Sequence, residues 1–415
     1  MRTIHQTLLA LLLGAAGAAA IDTATISAAE RSNRTAMWLD KTAPIAAGVR
    51  TVIKPAVVVD RTAWWATGGP AYRWNEIILD EMQQSFVVLP MAARHLALFH
   101  AAVDDAIASA RQQKAKPGAS DYAAAAEVAS AVLAYLFPAR TEYFAAKALE
   151  AIDTRKAVKS ETAEQIAAGR EVGRKIAAKA IARGKADGSE AKWSGTVPEG
   201  PGRWKGQNPI APLAGTWQTW VLASSSEFRP PAPPPIDSEQ VKAALAELKS
   251  FQRTPKTNHR ATYWEVHGGA RAHALWNEIA RMKLLESGLA ERDGARVLAA
   301  LNIAMADAGT ACWDAKYAFW YIRPPQLDAE LKALFPPPNH PSFPAAHGCY
   351  STAAATVLAD VFPQDKERLL ALAKEAAEAR MWAGIHYRFD IDAGQDLGRK
   401  VGEKVLSRML PAKVN

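Results

Sequence analysis

From Trp74 to Met409, apolar side chains recur at every third or fourth position in one stretch after another, and nowhere do they alternate with polar ones between hairpin turns. A repeat near 3.6 lines one face of a helix, whereas a half-buried strand needs a repeat of 2. The chain is therefore expected to be all-α, built of helices packed on helices. Ile77, Ile78, Met82 and Phe86 mark a first helix, and Leu96, Phe99, Val103 and Ile107 a second. Pro90 separates them, since it lacks an N–H and its ring blocks the preceding turn. Alanine-rich helical stretches follow at 120–137, 140–157 and 160–184, where small side chains suit close helix packing.

The pattern fails over 185–237, where Pro198, Pro201, Pro209, Pro212 and a proline-rich run from Pro230 to Pro235 alternate with glycine and with Trp193, Trp204, Trp217 and Trp220. This reads as a long loop whose tryptophans either pin it to the core or line a substrate funnel. Helical spacing resumes at 238–252, 262–287, 292–323, 346–362, 366–383 and 386–409. The expected organisation is a leader at 1–20, an irregular aromatic arm at 21–73, an N-terminal helical half at 74–184, a Pro/Trp-rich connecting loop at 185–237 and a C-terminal half at 238–411. No repeat of fixed period is found.

With 415 residues, 49% of them hydrophobic, the chain can bury a large core, which excludes a disordered protein. Its net charge of +8 is spread along the sequence, so anionic ligands are expected and nucleic acid is not. Residues 1–20 carry Arg2, an apolar run from Leu8 too short to span a bilayer, and small residues at Ala18 and Ala20, the pattern of a bacterial signal peptide. A periplasmic or secreted protein with no membrane span in the mature chain is expected. Cys312 and Cys349 are too few for a disulfide scaffold, and either one bridge or two buried thiols fits them.

Three segments carry candidate chemistry. Lys316 and Arg323 lie two helical turns apart beside Trp313 and Trp320, followed by Pro324; two cations among aromatic residues are costly unless an anion neutralises them. Pro344, Ala345, Ala346 and His347 then open a helix, whose free N–H groups favour an anion and whose histidine can exchange a proton near neutral pH. Finally, Arg380 precedes His386 and Asp390, an i,i+4 pair in which the carboxylate can hold one imidazole N–H and leave the other nitrogen free. His95, His100 and Asp104 are read as packing residues, as are His267 and His273, because neither spacing places two ligands on one helix face.

Lys316 with Arg323-Pro324, then Pro344 to His347, then Arg380, His386 and Asp390, resemble the three-part signature of the vanadium-dependent haloperoxidases and type 2 phosphatidic acid phosphatases (the PAP2 superfamily). RWNEIILDEM, LPMAARHLALFHAAVDDAI, SSEFRPPAPPP and the run from LWNEIARM to FWYIRPP are similar to the bacterial haloperoxidase branch, so the resemblance covers about 74–405. Two of the motifs depart from the family pattern: Ala345-Ala346 stand where Ser-Gly is usual, and Ala379 where a serine precedes the arginine. Both hydroxyls are lost, and the backbone N–H groups of Ala345 and Ala346 are expected to remain as anion donors.

The resemblance implies an all-helical fold with the anion site in a C-terminal four-helix bundle. It makes His386 the ligand of vanadate, with Lys316, Arg323 and Arg380 around its oxygens. His347 becomes the acid–base group, Asp390 orients His386, and Trp313 and His340 shape the substrate pocket. Phosphate can occupy the same site. The implied activity is a vanadate-dependent peroxidase that uses hydrogen peroxide to oxidise halide or a small organic substrate. The alternatives are a periplasmic acid phosphatase working through a phosphohistidine and a non-catalytic anion-binding scaffold. A homodimer is compatible with the size and class.

Overall fold

The computed structural model describes residues 61–410 apart from 88, 114–117, 159–160 and 269–271, so the expected leader and the arm up to residue 60 lie outside the described residues. The first half holds α1 (Arg61–Ala66), α2 (Gly69–Gln84), α3 (Met91–Gln112), α4 (Asp121–Leu136), α5 (Thr141–Val158) and α6 (Ala163–Ala186). After the connecting loop come α7 (Glu239–Ser250), α8 (Pro255–Gly268), α9 (Ala272–Ser287), α10 (Glu291–Phe319), α11 (Pro324–Leu327), α12 (Ala346–Val361), α13 (Lys366–Trp382) and α14 (Arg388–Met409). The fold is all-α. The described residues contain no strand, only one isolated bridge between Arg203 and Tyr321.

Local chemistry accounts for several helix starts. Ser120 and Ser238 accept the first-turn N–H groups of Ala123 and Val241, and Thr162 forms a reciprocal capping box with Gln165. Helix formation begins earlier than the expected Trp74, because Arg61–Ala66 and Gly69–Gln84 are helical and bury Trp65 and Trp74 against each other. The stretch expected as one helix over 262–287 is instead two, α8 and α9.

A larger correction concerns the helix expected over 292–323. It stops at Phe319, Trp320 turns into the left-handed region at φ 49°, and Arg323 is extended at φ −85°, ψ 154°. Lys316 and Arg323 are therefore not on one helix face. Pro324 disfavours helical geometry at the residue before it. The exposed backbone is taken up by the connecting loop: Trp320 O accepts the Trp204 N–H at 2.7 Å, and the Ile322 N–H donates to Gly202 O at 2.9 Å.

The loop is bound to both halves rather than hung between them. The Asp307 carboxylate, buried in α10, accepts the backbone N–H groups of Trp220, Val221 and Leu222 at 2.8, 2.8 and 3.1 Å. Trp204 and Trp217 are buried, and Trp220 stacks under the Arg183 guanidinium at 3.8 Å. The two expected halves share one apolar core, in which Leu96, Phe99 and Val132 join Leu301, Ala354 and Val401. Its axis is α10, where almost every side chain from Val297 to Lys316 is buried.

On α10 pack α12 and α14, and α13 packs in turn against α12 and α14. The seam between α12 and α14 is lined by glycine on one side. A Cβ at Gly398 would run into the Cys349 carbonyl oxygen, and one at Gly394 into that of Ala345. Only a residue without a side chain lets the two backbones approach this closely. We expect Gly398→Leu to force α12 and α14 apart and to lower stability by about 1–3 kcal/mol, measured by urea unfolding; an unchanged midpoint would show that the seam is slack.

Candidate functional site

The start of α12 and the segment before α14 face each other across this seam and carry two of the three signature motifs. Tyr387 is the residue before α14, so His386 lies outside the helix and not on its face as the spacing suggested. The i,i+4 contact forms nevertheless. His386 Nδ1 is 2.8 Å from Asp390 Oδ2, and that oxygen also accepts the Tyr387 N–H at 3.2 Å and the Ser342 hydroxyl. A carboxylate oxygen with these donors fixes the imidazole tautomer, with the proton on Nδ1 and the lone pair on Nε2.

Arg323 bridges the segments. It donates to His340 O at 3.0 Å and Ile385 O at 2.9 Å, and its Nη1 lies 3.3 Å from His386 Nε2. Its Nη2 lies 3.2 Å from His340 Nδ1. Lys316 is placed differently from its expected role. Its buried ammonium donates to the carbonyl oxygens of Pro341, Ser342 and Pro344 at 2.8, 2.7 and 2.6 Å, so it clasps the loop leading into α12 and does not line the cavity beside His386. Burial pushes this ammonium down to about 8.

The cavity beside His386 measures about 190 Å³, and Trp313, His340, Ala346, His347 and Arg380 share its wall. Arg380 is almost fully buried and pairs through Nη2 with Glu265 Oε2 at 2.6 Å. Its Nε and Nη1 have no hydrogen-bond partner among the described residues. Two orphaned guanidinium donors are costly in a protein interior and are the groups a tetrahedral oxyanion satisfies. The donor set thus fits such an anion at Arg380 and His386 Nε2, whereas Arg323, whose guanidinium is spent on His340, Ile385 and His386, is not part of the cavity wall and stands behind His386.

The histidines are held neutral. Burial, followed by the charges of Arg323, Lys316 and Arg380, moves His386 well below the ordinary imidazole range. His347 and His340 are lowered in the same way, again chiefly by burial. Burial pushes the Asp390 carboxyl up to about 6, against the Ser342 hydrogen bond and the Lys316 charge. His347 Nε2 lies 3.0 Å from Trp264 O, an atom that can only accept, which leaves the lone pair on Nδ1. Without an anion, His347 is therefore neutral and suited to accept a proton rather than to give one.

The expected backbone donors are only partly available. The Ala345 N–H is used by Asp390 O at 2.8 Å. Ala346 opens α12 and lines the cavity, and a first-turn N–H has no acceptor within its own helix. Ala379 packs in a small buried cluster with Ala376 and Trp264, so the indole fills the space next to it.

Glu265, Trp264 and Ser342 were not found from the sequence. Each acts through contacts with residues 44 to 115 positions away, and no local spacing signals them. Of the other candidates, His100 Nε2 lies 3.2 Å from Asn75 Oδ1, and Asp104 pairs with Arg296 at 2.7 Å. His267 is outside the cavity, and the side chain of His273 lies outside the described residues. Cys312 and Cys349 are buried and unbridged.

Residues 297–402 match the family described as the PAP2 superfamily. A search of curated protein sequences gave no match. Among solved structures, the chain is similar to the first bacterial vanadium-dependent iodoperoxidase, with TM-score 0.64 and 21% identity over 83% of this chain and 98% of that one. It is also similar to apo and holo forms of bacterial vanadium-dependent chloroperoxidase. For the apo form the TM-score is 0.61 at 14% identity, over 78% of this chain and 94% of that one. For the holo form it is 0.59 at 15% identity, over 77% and 92%. At these identities the likeness is one of fold. Residues 297–402 thus resemble the PAP2 superfamily, and they are set in an all-helical fold similar to that of these vanadium-dependent peroxidases.

Proposed function

We propose that the protein is a vanadate-dependent peroxidase that oxidises halide or a small organic reductant with hydrogen peroxide. The observation that carries this reading is the pair of unpartnered Arg380 donors beside the neutral His386 in a closed-in cavity. The extent of the fold supports the peroxidase branch, because the likeness spans 98% of the iodoperoxidase chain and not only the PAP2 segment.

In this reading Arg380 would hold vanadate oxygens and His386 Nε2 would hold the metal, with the Arg323 guanidinium, 3.3 Å from that nitrogen, adding its charge from behind. Asp390, fixed by Ser342 and the Tyr387 N–H, keeps the proton on Nδ1 so that Nε2 remains a donor. Lys316 keeps the loop before α12 in place and adds its positive field. His347 takes a proton from the incoming peroxide, as a buried neutral base can. Trp313 and His340, whose rings lie 5.2 Å apart, give the cavity an aromatic wall that restricts water. The bound vanadate supplies the electrophilic activation of peroxide. A leader at 1–20 and a periplasmic or secreted location belong to the same proposal.

The test is one preparation assayed two ways, for vanadate-dependent oxidation of bromide or iodide and for phosphate-ester hydrolysis without vanadate. Halide oxidation is the expected result, and phosphate release alone would replace this reading with that of a phosphatase using His386 as nucleophile. His386→Ala should abolish both vanadate binding and turnover, followed by calorimetry and halide assay; retained binding would remove His386 from the site. Ala345→Ser should act on the fold, since residue 345 is the N-cap of α12 and a hydroxyl there can accept a first-turn N–H. The expected gain is about 1 kcal/mol in urea unfolding, and no gain would show that the buried pocket rejects the extra oxygen.

A further inference from the structure

We propose that Glu265 is a specificity-determining residue that makes the cavity select tetrahedral oxyanions carrying at least one O–H over fully deprotonated ones. The inference rests on the oxyanion reading of the cavity. It concerns α8, which lies outside the PAP2 segment and outside the three signature motifs.

Glu265 is held in position by its neighbours. Trp264, the residue before it, is fully buried and donates its indole N–H to Glu375 at 2.8 Å, and Arg260 on the same helix pairs with Glu375. The Trp264 carbonyl faces His347. These contacts fix the register of α8 over the site, and Glu265 lines the cavity with Arg380, His347 and His386. Its Oε2 takes one Nη2 hydrogen bond of Arg380 at 2.6 Å, leaving Nε and Nη1 of the same guanidinium for a ligand. Its charge also acts on Arg323.

An anion bound to Arg380 must therefore share that guanidinium with a carboxylate. Two acceptors with no proton between them repel at close range. A ligand bearing an O–H turns the repulsion into a hydrogen bond by donating to Glu265, whereas a ligand without one cannot. A carboxylate in this position discriminates by penalising the wrong ligand. The charges on the cavity wall agree, since Arg380 is its one lysine or arginine and Glu265 its one carboxylate, which leaves little positive surplus to hold a bare dianion.

The test compares phosphate and sulfate on the whole protein by isothermal calorimetry, slightly below neutral pH, where phosphate is mainly singly charged with two O–H groups and sulfate is a bare dianion. The parent protein should prefer phosphate. Glu265→Gln and Glu265→Ala should reduce that preference by about tenfold or more, mainly through tighter sulfate binding, with thermal unfolding confirming that both variants fold. An unchanged preference, or an equal gain for both anions, would overturn the proposal, the latter showing that Glu265 merely competes for Arg380. If the parent binds neither anion, the oxyanion reading of the cavity falls as well, so the two failures are distinguishable.

Discussion

The buried ammonium of Lys316 holds the site together. A charge removed from water is tolerated only with good partners, and here the partners are three carbonyl oxygens within four residues, from Pro341 to Pro344. That requirement bends the loop around the lysine. The bend in turn presents Ser342 to Asp390, sets His340 against Arg323 and starts α12 at the cavity wall. Lys316 thus shapes the site through the backbone it grips. Of the two arginines, Arg380 keeps two unpartnered donors at the cavity wall.

The same burial decides protonation. Desolvation lowers His386, His347 and His340, and the charges of Arg323, Lys316 and Arg380 add in the same direction. His386 keeps its lone pair because protonating it would add a fourth positive charge to a region that water hardly reaches. Asp390 stabilises this state by taking the Nδ1 proton in a hydrogen bond, and burial holds its own charge down. A ligand or nucleophile at Nε2 needs that balance, which is cooperative across α10, α12 and α14 and belongs to no single residue.

The alanines at 345, 346 and 379 take their meaning from packing. Ala345 lies against Gly394, where the two helix backbones nearly touch, and its N–H is already committed to Asp390. Ala379 sits against Trp264. These contacts tie α8 and α14 to the arginine and histidine that flank the cavity, so the lost hydroxyls are accompanied by closer enclosure of the site rather than by a collapsed one.

Periodicity made the all-α class legible, and capping serines and threonines made several helix starts legible, because both depend on neighbours within one turn. The three motifs named Arg380, His347 and His386 on the cavity wall for the same reason: their residue types and order are local facts. The end of α10 was misplaced because the backbone beyond it, at Trp320 and Ile322, is paired with Trp204 and Gly202, over a hundred positions away. The role of Lys316 could not be read from its spacing, since its acceptors are backbone carbonyls and every residue has one. Glu265 meets Arg380 across 115 positions. The sequence by itself determined which helices form and which charged side chains are available. The tertiary structure decided which of them reach the cavity, because desolvation and hydrogen-bond partnership are properties of the packed surroundings and not of the chain.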